Sequence, residues 1–204
     1  MAPALRGIHL VMEEPNESIV KLFKSRQAWA KWLEREHSRN AGVWLRFAKK
    51  GAKLLSVTHK EALEVALCYG WIDGQLRPES KEAWLQRFLP RSSRSIWSKV
   101  NRAKALELIA SGEMKPAGLE AIAKAKKNGR WEAAYDSPRG ATVPDDLQRA
   151  LDANPKALAF FKKLDGANRY AVLWRIQTVK KTETRARKIE QLVGMLERGE
   201  KIHP

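Results

Sequence analysis

The sequence predicts an α+β protein, with a small antiparallel sheet packed with helices followed by an all-helical C-terminal subdomain. Three observations lead there. Residues 43–48 (VWLRFA) alternate Val43, Leu45 and Phe47 against Trp44, Arg46 and Ala48, the period-two pattern of a strand. Two more extended runs, 71–76 and 83–89, lie on either side of turn residues at 78–81. Beyond residue 92, apolar positions recur at helical spacing, with Gly and Pro as the punctuation.

In chain order, residues 1–18 read as a flexible N-terminus containing Pro3 and Pro15, and 19–23 as a short strand. Ser25 is placed to cap a helix over about 26–37, with Ala28, Trp29, Trp32 and Leu33 on one side. Residues 40–42 form a turn before the 43–48 strand, and 49–53 a basic turn around Gly51. Thr58 and Glu61 have the spacing of a capping box for a helix over 59–69, ended by Gly70. Ser92 or Ser93 is placed to cap a helix running to about 110, with Ile96, Val100, Ala103 and Leu106 expected to face the core.

A further helix covers about 117–128, with Pro116 at its start and Gly129 after it. The Pro-, Gly- and Ser-rich connection 130–144 is the expected boundary, which gives an α+β domain over 19–135 and a helical subdomain over 136–204. In the subdomain, Pro144, Asp145 and Asp146 open one helix, and Asn154 and Pro155 open the next. That second helix carries Leu158, Phe160 or Phe161, and Leu164, and Gly166 breaks it. A helix over about 168–180 carries Tyr170, Leu173, Trp174 and Gln177. Thr182 is placed to cap the last, whose stripe is Ile189, Leu192, Val193 and Leu196.

With 39 Lys and Arg against 23 Asp and Glu, the chain has a net charge of +16, which favours anionic partners. No apolar run is long enough for a transmembrane segment, and the N-terminus does not read as a secretory signal, so a cytoplasmic protein is expected. The oligomeric state is not encoded in any pattern. The single cysteine, Cys68, allows no internal disulfide, and its apolar helical setting predicts burial. His9, His37, His59 and His203 lack metal-ligand spacing, so no metal site is expected. Phosphate-loop, dinucleotide and nucleophile-elbow motifs are absent, and no cofactor is expected.

The candidate site lies in the tryptophan-rich stretch 66–101. No acidic residue occurs between Glu82 and Glu107, whereas Arg87, Arg91, Arg94, Lys99, Arg102 and Lys104 do. A helix starting near Arg94 puts Ser95, Ser98 and Asn101 or Arg102 on one face, with free N–H groups suited to an anion. Asp73, beside Trp71, is placed to accept hydrogen bonds from a ligand or to pair with Arg91. Trp71 and Trp97 are the tryptophans retained as pocket candidates. Basic residues crowd the start of the last helix, where the dipole disfavours them, which marks either a phosphate or nucleic-acid contact or Arg185 packing back on the N-terminal part; Arg185 is also the residue expected to cover the pocket. The expected ligand-binding set is therefore Trp71, Asp73, Arg91, Ser95, Trp97, Ser98, Asn101 and Arg185. A small anionic or peptide-like ligand is the first expected partner. Nucleic acid bound through the basic surface and an enzyme of unassigned reaction are the alternatives.

The succession EALEVALCYGWIDGQ (61–75), the stretch 87–131 beginning RFLPRSSRSIWSKVN, VPDDLQRAL (143–151) and KKTETRARKIEQLV (180–193) resembles the YdeI/OmpD-associated, or bacteriocin-protection, family. The matching pieces include Gly70 to Asp73, Pro90 and Arg91, Ser95, Trp97, Ser98, Asn101, Met114, Pro116 to Gly118, Thr184 and Arg185. Leu89 stands where a threonine is more usual before the Pro-Arg pair. The resemblance implies a bacterial protein of antimicrobial or envelope-stress tolerance. It supplies candidate pocket residues and no catalytic roles.

Overall fold

The computed structural model describes residues 19–138, 140–179 and 181–204, so the expectation for residues 1–18 lies outside the described residues. The chain divides into two compact units, one ending at Arg91 and one beginning at Ser92. The connection over 130–144, where the sequence suggests a boundary, lies within the second unit.

The first unit is built from β1 (Val20–Lys21), α1 (Arg26–Glu36), β2 (Val43–Ala48), α2 (His59–Cys68), β3 (Trp71–Pro78) and β4 (Ala83–Pro90). Its sheet has the order β1-β2-β4-β3. β4 lies antiparallel to both β2 and β3, as the hairpin pattern predicts, while the short β1 is parallel to β2, so the sheet is mixed rather than purely antiparallel. Local chemistry sets the helix ends. Ser25 accepts from the Ala28 amide, the Thr58–Glu61 capping box forms in full, and Gly70 turns the chain out of α2 at φ 70°.

One face of the sheet presents Val43, Leu45, Phe47 and Phe88 to the helices, and all four are buried. Trp29 and Trp32 of α1 stack at 5.3 Å, and Trp29 meets Phe88 edge-on at 5.8 Å. The fully buried Trp29 indole donates to the Ala62 carbonyl of α2 at 3.0 Å, so its one polar atom is satisfied and it ties helix to helix. On the other face, the Arg77 guanidinium lies over Trp44 at 4.4 Å, a cation–π contact.

The second unit contains α3 (Lys99–Ala110), α4 (Pro116–Lys127), α5 (Asp145–Asp152), α6 (Pro155–Lys163), α7 (Gly166–Gln177) and α8 (Thr182–Glu197). Its main core joins Leu147 and Leu151 of α5, Phe161 of α6, Val172, Leu173 and Ile176 of α7, and the expected α8 stripe Ile189, Leu192, Val193 and Leu196. Four expectations are corrected here. The third helix starts at Lys99 and not near Arg94, because Ser98 caps it through the Asn101 amide at 3.1 Å. Its buried face is Ala105 and Leu108, whereas Ile96, Val100, Ala103 and Leu106 are exposed. Gly166 opens α7 after the Asp165 cap instead of ending α6, and Thr182 is the first residue of α8 rather than its cap.

Asn168 shows how the second unit closes. It is 2% exposed, and its side-chain oxygen accepts from the amides of Ile202 and His203 while its nitrogen donates to Asp165. For the first unit, Trp29→Ala removes a fully buried indole and its bond to Ala62. Urea unfolding of this variant is expected to show a loss of about 3–5 kcal/mol, and a loss below 1 kcal/mol contradicts this packing.

Candidate functional site

Of the expected ligand-binding residues, Trp71, Asp73 and Arg91 belong to the first unit. Trp71 is 1% exposed, sits edge-on to both Trp29 and Trp32, and donates its indole N–H to the His37 carbonyl at 3.1 Å. It is a core residue. Asp73 does not pair with Arg91. Its Oδ2 lies 3.1 Å from His59 Nε2, at the first residue of α2, with both side chains partly exposed. The β3–β4 register shifts just after Asp73, where Gln86 donates to the Gly74 carbonyl at 2.6 Å, and such a bulge re-aims the neighbouring side chain. Arg91 closes the hairpin through its amide, which donates to the Gly70 carbonyl at 2.9 Å, and its guanidinium Nε and Nη2 are buried. His59 is the functional-type residue that spacing missed. It lies 14 positions from Asp73 on a different element, and only the α2–β3 packing joins the two.

Ser95, Trp97, Ser98, Asn101 and Arg185 belong to the second unit. Because α3 begins at Lys99, Ser95 and Ser98 do not share a helical face with Asn101. Ser95 accepts from the Ser92 amide at 3.0 Å. Trp97 is 2% exposed and packs on Trp131 at 4.8 Å. Ser98 caps α3, and a short bridge joins this strand of chain to Tyr135: the Tyr135 amide donates to the Trp97 carbonyl and the Lys99 amide to the Tyr135 carbonyl. Segment 95–99 is thereby fixed against the 130–136 connection.

That connection forms one wall of a cavity of about 270 Å³. Ile96, Arg130, Ala133 and Tyr135 line one side, and Gln177, Thr178, Val179, Lys181 and Thr184 the other. No lining residue is acidic. Arg130 and Lys181 have no ion-pair partner among the described residues. Lys181 also occupies the N-cap of α8 and gives no side-chain cap, so the first-turn amides at 182–184 are not capped by it. Asp136 sets the width between the walls. Its amide and carboxylate exchange hydrogen bonds with the Gln177 side chain at 3.2 Å each, its carbonyl accepts from Tyr170 at 2.9 Å, and Lys99 pairs with its carboxylate at 2.6 Å.

Arg185 neither covers this cavity nor is left exposed. Its Nε and Nη2 fork onto both oxygens of Asp146, and its Nη1 donates to the Ile176 carbonyl at 2.7 Å. It thus locks the start of α8 to α5 and to the end of α7, next to the cavity residues Gln177 and Thr178. Behind this pair, α5 and α8 enclose an apolar groove of about 690 Å³, where Ala150, Ala153, Ala186 and Gly194 are among the lining residues.

The Arg185 hydrogen bonds, reinforced by its charge, hold the Asp146 carboxyl below the usual carboxylate range, against the opposing effect of partial burial. A depressed carboxyl contributes stability that is fully present above the unfolded pKa, about 3.9, and is lost as pH falls through the folded value. Thermal melts are therefore expected to show Asp146→Asn less stable than wild type at neutral pH, with the difference shrinking below about pH 4. A gap that stays constant down to acid pH excludes this pairing as its source.

No curated relative and no solved structure matches the chain. Residues 21–121 match a model described as a domain of unknown function (DUF8412). Gly70 to Asp73, Arg91, Ser95, Trp97, Ser98 and Asn101 all fall in that span, so the YdeI/OmpD-associated model itself is matched by the later motifs, Thr184 and Arg185 among them. Residues 140–199, covering α5 to α8 and the Arg185–Asp146 lock, match the family model described as Bacteriocin-protection, YdeI or OmpD-Associated, in agreement with the resemblance carried by the C-terminal motifs.

Proposed function

We propose that this protein serves bacterial tolerance of antimicrobial or envelope stress, and that it does so by binding a small anionic ligand in its second unit. The family description supports the first part. The observation that carries the second is the cavity between the 130–136 connection and the α7–α8 junction, lined by Arg130 and Lys181 and by no acidic residue. Two cations without a counter-ion among the described residues leave positive potential in a concave place, where an anion is held more strongly than on an open surface. The first turn of α8 adds amide donors and the positive end of its dipole, and the Thr184 hydroxyl adds a further donor.

In this reading Arg185 is a positioning residue. It holds α8 so that Lys181 and Thr184 face the cavity, and does not itself contact the ligand. Lysine does not replace it, since one ammonium cannot reproduce a fork onto a carboxylate together with a bond to a carbonyl.

Isothermal titration of the full chain with inorganic phosphate tests the reading. Wild type is expected to bind, with affinity falling as salt is raised. The double variant Arg130→Ala, Lys181→Ala is expected to bind at least about tenfold more weakly while melting like wild type. Equal binding by wild type and variant, or no binding by wild type, overturns the proposal.

A further inference from the structure

Tyr135 belongs to two cavities. One is the cationic cavity above. The other, of about 660 Å³, is lined by Tyr135, Pro138, Tyr170, Trp174, the small residues Gly166, Ala167 and Ala171, and by Arg175 and His203. Both are walled by α7 on one side and by the 130–138 connection on the other. They follow one another along α7, with Trp174 and Tyr170 in the aromatic cavity and Gln177 and Thr178 in the cationic one.

The chemistry of the two ends differs. The cationic end holds Arg130 and Lys181. The aromatic end holds two half-buried rings, Tyr170 and Trp174, beside glycine and alanine positions that let a flat body approach the backbone. Tyr135 meets Trp174 edge-on, with ring centroids 6.4 Å apart, so the shared wall is itself aromatic. The Trp174 indole N–H has no acceptor among the described residues. The rings are held by the fold: Tyr170 is fixed through its bond to the Asp136 carbonyl, and Asp136 is fixed in turn by Gln177 and Lys99.

We propose that the two cavities form one cleft for a nucleoside monophosphate, with the phosphate beside Arg130 and Lys181 and the base against Tyr170 and Trp174. This rests on the anion-binding reading above and extends it to a ligand class. A doubly charged phosphate matches two uncompensated cations, and a planar heterocycle matches stacking walls with a free indole donor. Each part alone fills one cavity, and a ligand spanning both adds the two contributions without a second loss of translational freedom.

The test titrates the full chain with adenosine monophosphate, adenosine and inorganic phosphate. The monophosphate is expected to bind at least about tenfold more tightly than either fragment. Trp174→Ala is expected to remove that advantage and leave phosphate binding unchanged, whereas Trp174→Phe, which keeps a ring, retains most of it. On the wild-type protein, the Trp174 indole resonance in an NMR spectrum is expected to shift with the monophosphate and not with phosphate, a readout independent of any variant's folding. If phosphate binds but the monophosphate binds no more tightly, or the indole does not respond to it, the nucleotide cleft is overturned and the anion site stands. If nothing binds, both fall.

Discussion

The fork of Arg185 onto Asp146, with its third bond to the Ile176 carbonyl, is the contact on which the second unit depends. It joins the starts of α5 and α8 to the end of α7, three elements that also meet through the apolar side chains of the core. Hydrophobic packing is non-directional and fixes no register by itself. A bidentate charge pair does, because the planar guanidinium satisfies both carboxylate oxygens in only one orientation. The pair is partly exposed, so its contribution to net stability is modest. Its effect on geometry is larger: it sets where α8 begins, and hence where Lys181 and Thr184 stand.

Local signals in the sequence were strong wherever one residue had one job. Ser25, the Thr58–Glu61 box, Asn154 with Pro155, and Gly70 each mark an end because the backbone there needs a specific acceptor or a left-handed conformation. The start of α3 was not legible, because Ser92, Ser93, Ser95 and Ser98 all offer a capping oxygen. The choice fell to Ser98 because the chain on either side of it pairs with Tyr135, a partner 37 positions away that no local rule sees. The face of α3 was equally hidden. With apolar residues on nearly every side of it, period alone does not select the buried stripe.

The same distinction holds for the site. Tryptophans suggested a pocket at Trp71 and Trp97, but large rings in a small unit are the cheapest way to remove apolar area from water, and both are buried against other tryptophans. The 130–144 stretch read as a connection because Gly, Pro and Ser crowd it. Its Arg130, Ala133 and Tyr135 nevertheless form a cavity wall, since the irregular segment is pinned through Asp136 by hydrogen bonds to Tyr170 and Gln177 and an ion pair to Lys99. The motif residues Thr184 and Arg185 were found by resemblance, and their roles differ: one lines the cavity and its neighbour holds the helix that carries it.

Net charge gave the direction of the functional argument but not its place. A charge of +16 spread over the surface predicts a preference for anions and nothing about where they sit. What localises the field is the pattern of compensation. Lys99, Lys104, Lys124, Arg185 and Arg198 each have a carboxylate within ion-pair distance. Such exposed pairs add little stability, yet each cancels its own potential within a Debye length. Arg130 and Lys181 have no such partner among the described residues and stand on facing walls of one cavity, so their positive potential is concentrated in a concave place. Placing an acidic residue in that wall by Ala133→Glu would supply the missing counter-ion from within. The anion preference of the cavity then falls while the net charge of the protein scarcely changes, which separates local compensation from overall basicity as the cause.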